Sequence, residues 1–159
     1  MSELSELEGY LVKTLKEVFQ EDKKHINHTV KVKNYSKIMM GRLDSSTSVN
    51  SSVILAAAIL HDIGIPKAEK KYGSSAPEYQ QTEGPPLARQ ILTGTGLSSE
   101  EIDHICRIIA NHHDPKDIDT LEFKLVYDAD LLANKQEGNR KEDDFLTKLG
   151  TELASDFSH

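Results

Sequence analysis

The stretch Val53–Gly64, which reads VILAAAILHDIG, joins an apolar run to an ending that can carry charge. Its residues from Val53 to Leu60 are apolar all round and rich in alanine, a pattern typical of a helix buried by its neighbours. Asn50 or an adjacent serine supplies the helix N-cap. The stretch therefore predicts a central helix that ends on an imidazole and a carboxylate, His61 and Asp62.

Apolar residues also recur at intervals of three and four on both sides of this stretch, which indicates further helices. Leu7, Leu11 and Leu15 mark a first helix, and Pro85-Pro86 suits the first turn of a later one through Leu92. The other predicted helices cover about residues 25–43, 99–113, 121–135 and 145–157, with a short helix and an ordered loop between 66 and 81. We expect an all-α fold, a single domain over residues 1–159 with a helical bundle of seven to eight helices.

Composition narrows the functional classes. Twenty-six acidic and 19 basic side chains give a net charge of −7. The chain therefore lacks the excess of basic residues that is typical of a protein that binds the backbone of a nucleic acid polymer. The single cysteine, Cys106, excludes an internal disulfide and a cysteine-rich zinc module. The acidic amphipathic N-terminus is unlike a secretory signal, and the run Val53–Leu60 is far shorter than the ~20 residues that span a bilayer. We expect a cytoplasmic protein without a membrane partner.

Several other polar residues fall on the apolar faces of these helices. His28 shares a face with Val32, and either His112 or His113 continues the stripe of Ile109. Each histidine alone is more often a hydrogen-bonded core residue than a ligand. Asp128 and Asp130 lie ~200° apart around a helix, so only one of them can easily face a given site.

The joint pattern is harder to explain as chance, because four helices each offer an inward nitrogen or oxygen. A divalent cation is a partner that satisfies a buried imidazole and a buried carboxylate together. With a single cysteine, any metal site in this chain must be built from histidines and carboxylates. The sequence thus indicates a metal centre in the middle of the bundle.

The order of His28, then Leu60-His61-Asp62-Ile63-Gly64, then the late Asp128-Ala-Asp-Leu motif resembles the HD superfamily of metal-dependent phosphohydrolases. The resemblance covers roughly residues 24–137, including Glu83-Gly84, and implies an HD domain with the terminal helices packed on it. It implies that His28, His61, Asp62 and Asp130 bind a divalent metal ion (Mn, Fe, Co, Ni, Zn or Mg). By the same resemblance His112 or His113 could serve a second ion, with Asp62 as the bridge.

The chain departs from relatives of this kind in two places. Dinuclear relatives carry another histidine before the Glu-Gly segment, whereas this chain reads Tyr79-Gln-Gln-Thr82. Other relatives have a lysine directly after the glycine that corresponds to Gly64, whereas this chain has Ile65. By analogy, the phosphate contact is assigned to Lys67. The alternative is that Lys67 belongs to a solvated helix face. His112 or His113, when not a ligand, is a candidate to protonate the leaving oxygen.

The resulting expectation is a phosphohydrolase, a phosphomonoesterase or phosphodiesterase in which metal-activated water attacks a small phosphorylated substrate, with a nucleotide favoured. Asp62, Lys67, His112 and His113 are its candidate catalytic residues. The alternatives are a di-iron oxygenase of the HD type and a non-catalytic metal or ligand sensor. A homodimer stays open, because apolar residues of the first and last helices suit a core or a partner equally well.

Overall fold

The computed structural model of the chain describes residues 2–138 and 144–156. Within these residues the fold is entirely helical, and the expectation of an all-α bundle is confirmed. Eight helices follow one another: α1 Glu3–Phe19, α2 Lys23–Gly41, α3 Ser51–Leu60, α4 Ile65–Tyr72, α5 Pro77–Leu92, α6 Ser99–Asn111, α7 Leu121–Gln136 and α8 Lys148–Asp156.

Helix α3 is the centre of the core. Every residue from Val53 to Leu60 is buried, and α1, α2, α6 and α7 all pack against this helix. Asn50 caps it by accepting a hydrogen bond from the amide of Val53. At the other end His61 and Asp62 leave the helix inside the protein, at 1% and 9% exposure. The central helix thus carries a titratable pair into the interior.

Together α3, the turn at 61–64 and α4 make a continuous stretch long and apolar enough to cross a membrane by length and composition. This stretch, Ser51–Tyr72, has 22 residues and a mean hydropathy of 1.3 in its most apolar window. In the fold, 78% of that window is buried. The stretch therefore lies where the core helix of a globular bundle lies.

Local signals fix the start of the helices that meet α3. Ser98 and Glu101 form a complete capping box at α6, as their spacing predicts. Asp22 caps α2 through the amide of His25, and Thr120 caps α7 through the amide of Phe123. These caps set where His28 and Asp130 fall along their helices.

The prediction that a helix begins at Pro85-Pro86 is wrong, because α5 begins at Pro77 and both prolines lie inside it. Pro77 occupies the first helical position, where a missing amide proton costs nothing. The turns that precede Pro85 bury Gln80 and Glu83, so tertiary contacts hold this part helical. The lost hydrogen bonds at the two prolines are outweighed by this burial.

Two glycines bring α5 directly onto the turn after Asp62. A Cβ atom added to Gly64 would lie 2.7 Å from the backbone nitrogen of Gly84 and 2.8 Å from its Cα atom. The nearest atoms to a Cβ on Gly64 are all backbone, so nothing there can rotate aside for a larger side chain. The close approach fixes α5 beside Asp62 and thereby positions Gln80.

The last helix begins later than its apolar spacing predicts. It begins at Lys148, after Phe145, and Phe157 lies outside the described residues. The reason is a hydrogen-bonded anchor: Asp128 accepts from the amides of Leu146 and Thr147, at 2.7 and 2.9 Å. These two amides are therefore held by α7, and α8 starts after them.

Candidate metal centre

Three side chains from three helices form a first cluster at one end of the central helix: His28 of α2, His61 at the end of α3 and Asp130 of α7. Nε2 of His28 lies 2.9 Å from Oδ1 of Asp130, and Nε2 of His61 lies 3.4 Å from the same oxygen. His28 and Asp130 are 102 positions apart in the chain. The fold thus brings together residues that the sequence keeps far apart.

Asp62 joins this first cluster to a second one. Its Oδ2 lies 3.1 Å from Nε2 of His61 and 3.8 Å from Nε2 of His28. Its other oxygen, Oδ1, lies 3.3 Å from Nε2 of His112 at the end of α6. Asp62, His112 and His113 form the second cluster. One carboxylate therefore faces both groups, one oxygen to each.

The backbone determines which nitrogen the buried histidines present. Nδ1 of His61 lies 2.7 Å from the carbonyl of Ala58, and Nδ1 of His112 lies 2.6 Å from the carbonyl of Ile109. A carbonyl only accepts, so each Nδ1 carries the proton and donates it. Each Nε2 is then free to offer a lone pair to the cluster, and both are buried without a hydrogen-bond partner. This is the tautomer that a metal ligand requires.

The donor set fits a divalent metal ion. Ligand atoms that are each about 2.1 Å from one ion lie about 3.0–3.4 Å apart in octahedral or tetrahedral geometry. The distances among His28, His61, Asp62 and Asp130 run from 2.9 to 3.8 Å. Two buried nitrogens without a partner, beside carboxylates, are otherwise costly to keep. The arrangement is the one that a cation would satisfy.

Charge inside the clusters shifts the ionisation of their members. Burial lowers the pKa of His61, but the carboxylates of Asp62 and Asp130 outweigh it and raise that pKa well above the ordinary value. Burial opposes ionisation of Asp62, yet His61 and His112 hold its pKa well below the usual range. Without a metal, His61 therefore takes up a second proton, on Nε2, which a bound cation would displace.

The two aspartates of the late motif point to different places. Asp130 faces His28 and His61, whereas Asp128 is fully buried against the start of α8. Besides the two backbone amides, Asp128 accepts a hydrogen bond of 2.5 Å from the hydroxyl of Thr147. Burial raises the pKa of Asp128 to about 6. Asp130 is thus available as a ligand and Asp128 anchors a helix, in line with their ~200° separation.

His112 and His113 both belong to the second cluster, but their surroundings differ. The side chain of His112 is 2% exposed, whereas His113 reaches towards the surface. Nε2 of His113 lies 3.2 Å from Oε1 of Gln80, where dinuclear relatives were expected to place another histidine. Burial and the adjacent His112 lower the pKa of His113 to about 4, so its ring is neutral near pH 7.

Lys67 stands apart from the clusters. Its side chain is 58% exposed and its Nζ lies 3.8 Å from Oε1 of Glu83. It lines a wide groove with Phe19 and Leu87. The cavity that opens onto His28 and Asp62 is lined by a different set, in which Lys67 does not appear among the described residues.

Glu137 is a member of the site that the sequence reasoning missed. Its Oε1 lies 2.9 Å from Nδ1 of His28, and its Oε2 lies 3.2 Å from Nζ of Lys31. The carboxylate therefore holds the imidazole with Nε2 turned to Asp130. A signal was available, because Glu137 follows Asp130 by seven positions and so lies on the same face two turns later.

Comparisons with known proteins agree with this geometry. The family described as the HD domain matches residues 25–135. Ribonuclease Y of Thermus thermophilus, from each of two strains, is 30% identical over 126 residues, which is 78% of this chain and 19% of the relative. The chain thus spans about a fifth of the length of these curated relatives.

A solved structure shows the same fold. It is that of a protein described as a predicted HD superfamily hydrolase from an uncultured Thermotogales bacterium, which matches with a TM-score of 0.71 at 22% identity. The match covers 92% of this chain and 82% of that one. The fold, the paired histidine and aspartate at the end of the central helix, and the family match over residues 25–135 lead to one conclusion: this chain belongs to the HD-domain family of metal-dependent phosphohydrolases.

Proposed function

We propose that this chain hydrolyses a small phosphorylated metabolite, with nucleotides as the first class to test. The observation that carries the proposal is the pair of buried Nε2 atoms, of His61 and His112, that face the two oxygens of Asp62 without hydrogen-bond partners. His28, His61, Asp62 and Asp130 would hold a divalent ion. When bound, such an ion lowers the pKa of water and neutralises charge on a phosphoryl oxygen.

The residues of the chain have separate tasks in this reaction. Asp62 and Asp130 supply the negative charge that retains the cation, while carbonyl groups fix the two buried imidazoles. Among the described residues that line the cavity at His28 and Asp62 there is no serine, threonine or cysteine, which favours direct attack by water. His113 is neutral near pH 7 and so would accept rather than deliver a proton. Because the Nδ1 proton of His112 is held by the carbonyl of Ile109, His112, when not a ligand, would assist the leaving oxygen through a second proton on Nε2.

A second ion is also part of the proposal, because Asp62 faces His112 with the oxygen that it does not offer to His61. His113 would complete that position. Metal analysis of the purified protein distinguishes one ion from two. If wild type holds two ions per chain, we expect His112→Ala to hold one. If wild type holds one ion, we expect His112→Ala to hold one as well.

The test is phosphate release from a panel of nucleotides, sugar phosphates and a short RNA, run on protein whose metal content has been measured. The RNA is included because the relatives of similar sequence are ribonucleases. We expect wild type to release phosphate from at least one small compound and Asp62→Ala to lose both metal and turnover. Asp103→Ala, whose side chain is 60% exposed, is the matched control.

Other outcomes separate the alternatives. Equal turnover by wild type and Asp62→Ala would contradict the proposal. Uptake of dioxygen by the iron-loaded protein would favour an oxygenase, and metal binding without turnover on the whole panel would favour a sensor.

A further inference from the structure

One small cavity gives access to the first cluster. Its volume is about 220 Å³, and it is lined by Lys24, His25, His28, Asp62, Asn134 and Glu137. His28 and Asp62 are proposed metal ligands, so a substrate that reaches the ion must contact the other wall residues. Those residues come from the first turn of α2, the last turn of α7 and the position that directly follows α7.

Most polar groups of this wall are already engaged. Nδ1 of His25 lies 2.5 Å from Asp22, and its ring stacks on Phe19. Glu137 is held between His28 and Lys31. These contacts occupy Nδ1 of His25 and both oxygens of Glu137, so His25 offers a ligand only its Nε2.

Lys24 and Asn134 are the other two wall residues that are not proposed metal ligands. Lys24 makes no hydrogen bond or ion pair with any residue that the structure describes, although its charge helps to lower the pKa of Asp22. The amide nitrogen of Asn134 lies 3.4 Å from Oδ1 of Asp130, a long contact that leaves the amide able to turn. Lys24 is therefore the one cationic side chain of the cavity wall without an ion-pair partner among the described residues.

The charges around the proposed ion determine what a further cation would do. Asp62 lines the cavity, and Oδ1 of Asp130 lies 2.9 Å from Nε2 of His28. A divalent ion would offset these two carboxylates, and Glu137 is already paired with Lys31 at 3.2 Å. The ammonium of Lys24 would then add a net positive charge at the cavity wall and attract an anion towards the ion.

We propose that Lys24, assisted by Asn134, binds the phosphate of the substrate at the entrance to the metal centre, and that this phosphate is a terminal monoester. The inference rests on the proposed function and narrows it. A cavity of about 220 Å³ is smaller than the ~300–1,000 Å³ of typical pockets for drug-sized ligands. The cavity is open to solvent, so a terminal phosphate can occupy it while its single substituent stays outside, whereas an internal phosphodiester has to direct two substituents outwards. A monoester also carries the second negative charge that Lys24 neutralises.

The experiment compares Lys24→Gln with Lys23→Gln. Both variants remove one lysine charge from the same exposed turn, but Lys23 does not line the cavity. For Lys24→Gln we expect about a 10- to 100-fold rise in KM for a nucleoside 5′-monophosphate and in the inhibition constant of inorganic phosphate, which is the range of a hydrogen bond to a charged group. We expect the metal content of this variant to match wild type, Lys24→Arg to recover most of the loss, and Lys23→Gln to behave as wild type.

Asn134→Ala should raise the same two constants to a smaller extent. The inference is overturned when Lys24→Gln stays within twofold of wild type, when Lys67→Gln shows the loss instead, or when the loss follows a lowered metal content. Faster turnover of a phosphodiester than of the corresponding monoester would overturn the assignment of substrate class.

Failure of the proposed function is a separate result. If wild type releases phosphate from no compound, calorimetric titration of the metal-loaded protein with inorganic phosphate still tests Lys24. Binding that Lys24→Gln weakens at least tenfold supports the anion site, and equal binding by both proteins rejects it.

Discussion

At the scale of single residues, each of the three buried histidines of the centre is oriented by a group that contacts its Nδ1 atom. Carbonyl oxygens orient His61 and His112, whereas His28 depends on a carboxylate, Glu137, at 2.9 Å. A partner of this kind fixes the tautomer of an imidazole and raises its basicity as a ligand. Glu137 is therefore the one orienting group among these three that a side-chain substitution can remove.

Glu137→Ala is expected to weaken metal binding about 10- to 100-fold, because His28 then loses the acceptor of its Nδ1 proton. Glu137→Gln keeps an acceptor without the charge and should fall between Glu137→Ala and wild type. Competition with a coloured chelator measures the affinity. Glu78→Gln, a change in the exposed first turn of α5, is the control, and an unchanged affinity for Glu137→Ala would show that His28 needs no such support.

At the scale of the helices, the contact between Gly64 and Gly84 determines how α5 lies beside Asp62. The Cβ atom of Gly64→Ala would overlap backbone atoms at 2.7 and 2.8 Å, whereas that of Gly84→Ala would meet a methyl group of Ile109 at 3.2 Å. Backbone cannot rotate away, but an isoleucine side chain can adjust. The two glycines are therefore not equivalent.

We expect Gly64→Ala to lower the free energy of unfolding by about 3 kcal/mol, at the upper end of overpacking costs, and to reduce metal content because Asp62 shifts. Gly84→Ala should change stability by less than about 1 kcal/mol, since the gain in helix propensity offsets the contact. Urea unfolding and metal analysis measure both effects. Equal losses in the two variants would mean that the contact is less constrained than its distances indicate.

The turn between α1 and α2 holds a strained residue. Gln20 has a φ of 54° and a ψ of −111°, and the amide of Asp22 bonds to the carbonyl of Phe19 across it. This is the first central position of a type II′ turn, where glycine is preferred. A residue with a side chain costs about 1–3 kcal/mol there.

Gln20→Gly should therefore stabilise the protein by about 1 kcal/mol, after the extra chain entropy of glycine in the unfolded state is subtracted. Thermal unfolding measures the change. Glu21→Gly, at the next position, has no positive φ to relieve and should be neutral or destabilising. A lower melting temperature for Gln20→Gly than for wild type would show that the backbone of Gln20 is not strained.

Helix starts could be read from the sequence wherever a single side chain marks them, as Asn50 and Ser98 do. The start of α5 could not, since two prolines inside a helix are tolerated only because Gln80 and Glu83 are buried by other elements. That Asp128 and Asp130 face different places followed from helical rotation, whereas the preference for Asp130 came only from the family resemblance. The choice of Lys24 over Lys67 at the cavity wall required the packing of α2, α4 and α7, which no local pattern contains.

At the scale of the whole molecule, metal binding and stability are linked, because the clusters form only when four helices are packed together. Asp62 and Asp130 raise the pKa of His61, and Asp130 raises that of His28 against the effect of burial. In metal-free protein the contribution of these histidines is fully present below pH ~6.5 and is lost as the pH rises through their raised values.

Removal of metal with a chelator should therefore lower the melting temperature, and by more at pH 8 than at pH 6, where protons compete with the cation and stabilise the metal-free form. Calorimetric scans with and without added metal measure this. Asp62→Ala is expected to show little or no shift on chelation at either pH. A shift of the same size at both pH values would show that the histidines hold no proton in the metal-free protein.

The 102-residue separation between His28 and Asp130 has a kinetic consequence. Bringing two points so far apart along a flexible chain into contact costs about 4 kcal/mol of loop-closure entropy. An ion held between them acts as a reversible cross-link, and α2 cannot leave α7 until it dissociates. Metal-loaded protein should accordingly resist proteolysis through a slower rate of opening, while the rate at which the chain first collapses stays nearly independent of the ion.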